Sequence, residues 1–135
     1  MKEITLDATA SNIAVVTDFV NAELEVLGCP SKARMQLDVA IDEVFGNISR
    51  YAYGSAVGRA TVRLGFDEVE REVTLTFVDS GSEFNPCEAP EPDITLMLEE
   101  RPIGGLGLFM VKKMMDGMAY RREDGRNILT LRKRI

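Results

Sequence analysis

The sequence contains no histidine, and its only two cysteines, Cys29 and Cys87, stand far apart with no metal-ligand spacing around them. A structural zinc site therefore lacks both the residue types and the pattern it needs. A disulfide between the two thiols is disfavoured in a reducing cytoplasm, so two free cysteines are expected. Long apolar runs are missing as well: none approaches the roughly 18 residues that a membrane-spanning helix requires. The opening residues Met1, Lys2, Glu3 and Ile4 lead directly into an alternating pattern and carry no signal-peptide core. A cytoplasmic protein with no membrane association is expected. Positive charge is also in deficit, the formal net charge being −6. Binding along a nucleic acid needs a broad positive field, so direct nucleic-acid contact is not expected.

What is present is ordinary globular composition, with 45% apolar and 28% charged residues. A chain of 135 residues suits one hydrophobic core, so residues 1–135 are read as a single domain. The charge is unevenly spread. Residues 1–100 carry 7 Lys/Arg against 19 Asp/Glu, and residues 101–135 carry 9 against 3. A basic end of this kind serves an acidic partner or a phosphate ligand, or is simply the solvated side of an amphipathic strand pair.

Residues 2–6 read as a short strand. Residues 11–27 read as a helix, with Ile13, Val16, Phe19, Val20 and Leu27 forming its apolar stripe. Gly28 and Pro30 stop it, and Ser31 is the expected N-cap of a second helix over 31–52. Period-two alternation marks strands at 60–66 and 72–79, linked by 67–71. Residues 81–105 form a loop-rich stretch with four prolines, Pro86, Pro90, Pro92 and Pro102. A loop of that length inside a domain is usually a lid, a binding loop or a mobile segment. A short helix over 106–115 and a closing hairpin of 118–123 with 127–134 around Asp124-Gly125 complete the chain. The elements do not alternate strictly between strand and helix. A two-layer α+β sandwich is expected, a mixed, mostly antiparallel sheet with helices on one face.

Three motifs carry chemistry. On the second helix, Leu37, Ile41, Val44 and Ile48 share the core-facing stripe, while Glu43, Asn47 and Arg50 share a neighbouring one by their spacings of four and three. The Asn47 oxygen is a hard neutral ligand for Mg²⁺. The Glu43 carboxylate can accept a proton from an attacking hydroxyl, and the Arg50 guanidinium can offset phosphate charge. Alone, such a triplet is most often a solvated helix face. The second motif runs from Asp79 through Gly81 and Phe84 to Pro86, at the end of a strong apolar strand. A carboxylate held at a sheet rim can accept from an exocyclic amine such as that of adenine, and Gly81 would let a flat ring approach the backbone. An ordinary Asx turn is the competing reading. The third is the helix entry Gly104, Gly105, Leu106, Gly107, Leu108. Free amides at a helix N-terminus beside flexible glycines make an anion site. It is neither a P-loop nor a dinucleotide fingerprint.

In this order and combination the motifs resemble the ATPase/kinase fold shared by type II topoisomerases, heat-shock chaperones, sensor histidine kinases and mismatch-repair ATPases. Within that superfamily the chain most resembles the anti-sigma-factor serine kinases, over almost its whole length. The resemblance implies ATP and Mg²⁺ as cofactors, with Asn47 as metal ligand, Glu43 as catalytic base, and Asp79 and Gly81 at adenine. It implies Phe84 at the nucleotide, and Gly104, Gly105, Leu106, Gly107 and Leu108 along the phosphates. It also matches Thr130 to a last-strand threonine beside the contact between Asp79 and adenine, and Arg50 to a basic residue near phosphate. The implied partners are a sigma factor and an anti-sigma-factor antagonist protein. Members of the family often pair through sheet and first-helix surfaces, which allows a homodimer that no residue pattern here specifies.

The missing histidine narrows the reaction, because a sensor kinase that phosphorylates its own histidine cannot be encoded. Topoisomerase-like and chaperone ATPases couple to further domains, for which this length is expected to leave no room. What remains is transfer of the ATP γ-phosphate to a hydroxyl on a separate protein, which the family resemblance implies is a serine of the antagonist, with a sigma factor sequestered. The alternative is a nucleotide-gated protein-binding module with weak or no kinase activity.

Overall fold

The computed structural model describes residues 1–88 and 105–135. Strand β1 (Lys2–Asp7) is followed by a 3-10 turn and helix α1 (Ile13–Val26), then helix α2 (Ser31–Asn47) with a wide π-helical turn at Ile48–Ala52. Strands β2 (Arg59–Asp67) and β3 (Glu72–Asp79), helix α3 (Gly105–Met114), and strands β4 (Gly117–Glu123) and β5 (Arg126–Arg134) follow. The strands form one sheet in the order β1-β2-β3-β5-β4. All four pairings are antiparallel, so the expected mixture resolves to antiparallel pairing among the described residues.

Alternation along the strands sends one set of side chains to the helices. Ala60, Val62 and Leu64 of β2, Val73, Leu75 and Phe77 of β3, and Leu129 and Leu131 of β5 meet the apolar stripes of the helices in one core. Val16, Val20 and Leu24 come from α1, Leu37, Ile41, Val44 and Phe45 from α2, and Val111 and Met115 from the end of α3. The opposite face carries Thr61, Thr74, Thr76 and Thr130, none of them fully buried. The two-layer α+β arrangement with helices on one face is therefore as expected.

The turns have local causes. Gly28 adopts φ +69 and closes α1, where its amide and that of Cys29 return to the carbonyls of Glu25 and Leu24. Asp124 and Gly125, at φ +53 and +74, make the tight β4–β5 hairpin turn that an Asp-Gly pair favours. Two boundary expectations need correction. Ser31 is the first helical residue rather than the cap. Pro30 holds the cap position in an extended conformation, because proline supplies the extended entry and its carbonyl takes the Arg34 amide at 3.0 Å. The second helix is not uniform to residue 52, since its last turn widens after Asn47.

Candidate functional site

The wide turn directly follows the stripe of Glu43 and Asn47 and carries Arg50. Such turns insert into α-helices frequently at functional sites. Asn47, the last residue of α2, is 8% exposed, and its Oδ1 accepts Arg50 Nη2 at 3.0 Å. The Arg50 guanidinium folds back over Gly46 and lies over the Tyr51 ring at 5.7 Å from its centroid. The helix thus brings Asn47 and Arg50 together, as their spacing predicts. A carbonyl oxygen has two lone pairs, so one remains on Asn47 Oδ1 after Arg50 is served.

Glu43 lies one helical turn earlier and meets α3. A side chain at Gly107 would have its Cβ against the Glu43 carboxylate, so glycine is what allows the contact. The first four amides of an α-helix have no partner inside it. In α3 these belong to Gly105, Leu106, Gly107 and Leu108, so a carboxylate stands beside a helix N-terminus. Leu108 is buried by its side chain, which leaves only its amide for a ligand. Gly104 lies outside the described residues, as does most of the 81–105 loop.

Directly after α2, the wide turn holds the end of β3. The Ala52 carbonyl accepts Ser82 N at 2.7 Å and occupies the space a Gly81 side chain would need. A side chain at Gly81 is thus excluded by backbone packing against the wide turn. The Tyr53 hydroxyl donates to the Arg59 carbonyl at 2.6 Å and accepts Ser80 N at 2.8 Å, fastening the same turn to β2. Asp79 is 6% exposed, and its Oδ1 accepts Gly81 N and Asn127 Nδ2, each at 2.9 Å. That is an Asx turn and a buried polar contact at once.

Asn127 was not anticipated by sequence reasoning. The register pairs Asp79 with Asn127 and Thr76 with Thr130. Three positions along a strand reverse the face, so Thr130 points away from the helices and lies 3.5 Å from the Thr76 hydroxyl. The expected place of Thr130 beside Asp79 is therefore corrected: Asn127 stands there. Phe84 is half exposed and contributes its amide, which donates to Asn127 Oδ1 at 3.3 Å. The Tyr120 hydroxyl donates to the same oxygen at 2.6 Å, and burial, with the Glu83 carboxylate adding, pushes its pKa above the ordinary phenol value. It stays a protonated donor at neutral pH. Arg122 Nη1 reaches the Gly81 carbonyl at 2.8 Å.

The basic end is largely paired within the molecule. Arg121 contacts Glu123, Arg132 contacts Glu72, and Lys133 lies by Asp116. This favours the solvated strand-pair reading of that charge, and such surface pairs contribute little stability. Cys29 and Cys87 are free thiols, half buried, with burial raising both above the ordinary thiol range.

The donor set suits a magnesium nucleotide. Mg²⁺ takes one or two protein oxygens and fills its shell with water and phosphate, which fits a single neutral oxygen at Asn47. Asp79 Oδ2 accepts from no described residue, which leaves an acceptor for an amine.

Comparison with known proteins agrees with this geometry. Residues 6–133 match the histidine kinase-like ATPase domain. The chain is 32% identical over 101 residues to the serine/threonine-protein kinase BtrW of Bordetella bronchiseptica, covering 75% of this chain and 70% of that protein. It is 26% identical over 131 residues to the serine-protein kinase RsbW of Bacillus mycoides, covering 94% and 81%. A crystal structure of the RsbU and RsbW domains of Rv1364c from Mycobacterium tuberculosis superposes with a TM-score of 0.65 at 17% identity, over 99% of this chain and 32% of that one. The chain therefore belongs to the histidine kinase-like ATPase domain family, and its relatives include the serine/threonine-protein kinase BtrW and the serine-protein kinase RsbW.

Proposed function

We propose that the protein is an ATP-dependent serine kinase that transfers the γ-phosphate to a serine of an anti-sigma-factor antagonist and holds a sigma factor when that antagonist is phosphorylated. The observation that carries the reading is the Glu43 carboxylate held against Gly107 at the N-terminus of α3. It sets an acceptor for a hydroxyl proton beside amides suited to phosphate oxygens.

Each residue then has one task. Asp79 accepts the adenine amine through Oδ2, and the α3 amides of Gly105 and Gly107 receive phosphate oxygens. Asn47 Oδ1 would hold Mg²⁺, which supplies charge neutralisation to the phosphates. Arg50, now on Asn47 Oδ1, keeps that oxygen oriented and adds positive charge. Glu43 orients the incoming serine hydroxyl and takes its proton as the oxygen bonds to phosphorus and the bond to the β-phosphate oxygen breaks. Phosphoryl transfer depends mainly on positioning and charge stabilisation, so this short set suffices. The choice of antagonist and sigma factor as partners follows the family resemblance.

The test is Glu43→Gln, assayed with labelled Mg-ATP and the purified antagonist. ATP affinity should stay within about threefold, because the substitution is isosteric, while transfer falls by about 10²–10⁴-fold. Equal transfer by variant and parent would remove Glu43 from the chemistry.

A further inference from the structure

The fold engages one oxygen of Asp79 and leaves the other. Oδ1 takes the amide of Gly81 and Nδ2 of Asn127, while Oδ2 has no donor among the described residues. What fixes which oxygen faces the ligand is Asn127, 7% exposed, at the start of β5.

A primary carboxamide has two N–H donors and two acceptor lone pairs. In Asn127 all four are used. Nδ2 donates to Asp79 Oδ1 at 2.9 Å and to the Ser82 carbonyl at 2.8 Å. Oδ1 accepts the Tyr120 hydroxyl at 2.6 Å and the Phe84 amide at 3.3 Å. The orientation of the amide is not a free choice. Turned over, it would set an acceptor against the Asp79 carboxylate and the Ser82 carbonyl, and a donor against the Phe84 amide. Nothing of Asn127 is left for a ligand, so it acts through Asp79 alone.

We propose that Asn127, locked by Tyr120, is a positioning residue that sets base specificity by keeping Asp79 a fixed acceptor aimed at a 6-amino purine. This rests on the reading of Asp79 as the adenine contact. A carboxylate in that state accepts from the amine of ATP and repels the 6-oxo group of ITP. Without the Asn127 donor, the carboxylate keeps only the Gly81 amide on Oδ1 and is free to turn, so neither its attraction for the amine nor its repulsion of the oxo group stays fixed in direction.

The experiment measures the dissociation constants of Mg-ATP and Mg-ITP for the full chain, for Asn127→Leu and for Tyr120→Phe. The parent should prefer ATP by about 10- to 150-fold, the range for a hydrogen bond to a charged group. In Asn127→Leu the ratio should fall to about two- to tenfold, the range for an ordinary hydrogen bond, because a turned carboxylate serves the amine less well and opposes the oxo group less. Tyr120→Phe removes only a hydroxyl and should give an intermediate ratio with a parent-like melting curve. That variant decides the matter if Asn127→Leu does not fold. A general loosening of the domain would weaken both nucleotides together and leave the ratio unchanged. A parent-like ratio in the folded variants overturns the role of Asn127 while the adenine contact stands. A parent that binds ATP and ITP equally overturns the adenine contact, and this inference with it.

Discussion

At Gly107 the lack of a side chain makes room for Glu43, because a methyl group there would meet its carboxylate oxygens. Those oxygens end a flexible side chain, so Gly107→Ala should move Glu43 rather than unfold the domain. Helix propensity favours alanine by up to about 1 kcal/mol, which offsets the crowding. The expected outcome is a melting temperature within a few degrees of the parent and serine phosphorylation reduced by about 10²-fold, the scale of a 1 Å misplacement. Assayed side by side, unchanged transfer would mean that the Glu43 position does not matter. At this scale the sequence was informative on α2. Glu43, Asn47 and Arg50 fall on one stripe by helical spacing alone, and the Arg50–Asn47 hydrogen bond follows from it. Asn127 was not legible, because its significance lies in a pairing with Asp79 across 48 positions of chain. Thr130 was misplaced for the same reason: without the register, a strand residue cannot be assigned a face.

Gly81 makes the contrasting case, and it belongs to the scale of elements. Its Cβ would meet the Ala52 carbonyl, which is backbone at the end of the wide turn and cannot swing aside. Gly81→Ala should therefore part the end of β3 from α2 and cost about 1–3 kcal/mol, as overpacking does. A denaturant melt should show a lower midpoint with an unchanged slope. Stability equal to the parent would show that the two elements separate freely. The strands and the Asp-Gly hairpin could be read from period-two alternation and turn chemistry, to within a residue or so of β4 and β5. The widening at Ile48–Ala52 could not, since residue propensities do not separate one helical hydrogen-bond pattern from another. Arg71, at φ +52 in the β2–β3 turn, was equally silent, because nothing marks an arginine as left-handed.

For the whole molecule, the three motifs converge on α2. Glu43 meets Gly107 on one side and Ala52 meets Gly81 on the other, so a bound nucleotide would bridge α3 and the end of β3 through a single helix. Ligand binding should then stabilise the domain as a unit. At 100 times its dissociation constant, Mg-ADP should add about 2.7 kcal/mol, or roughly 10 °C in melting temperature for a domain of this size. The same titration with EDTA should give a smaller shift. Well-folded protein that melts unchanged with every adenine nucleotide would end the reading of this family member as a nucleotide binder. The sheet order was the feature least accessible from sequence, because antiparallel strands of similar pattern do not declare their neighbours.

That order has a further effect. Because β5 lies between β3 and β4, the corner that would recognise the base is finished only by a strand that follows every other described element. A nascent polypeptide halted after β4 would keep Asp79 yet lack its amide partner, and the edge of β3 would lie open. Base recognition at this corner would therefore report that β5 has docked between β3 and β4.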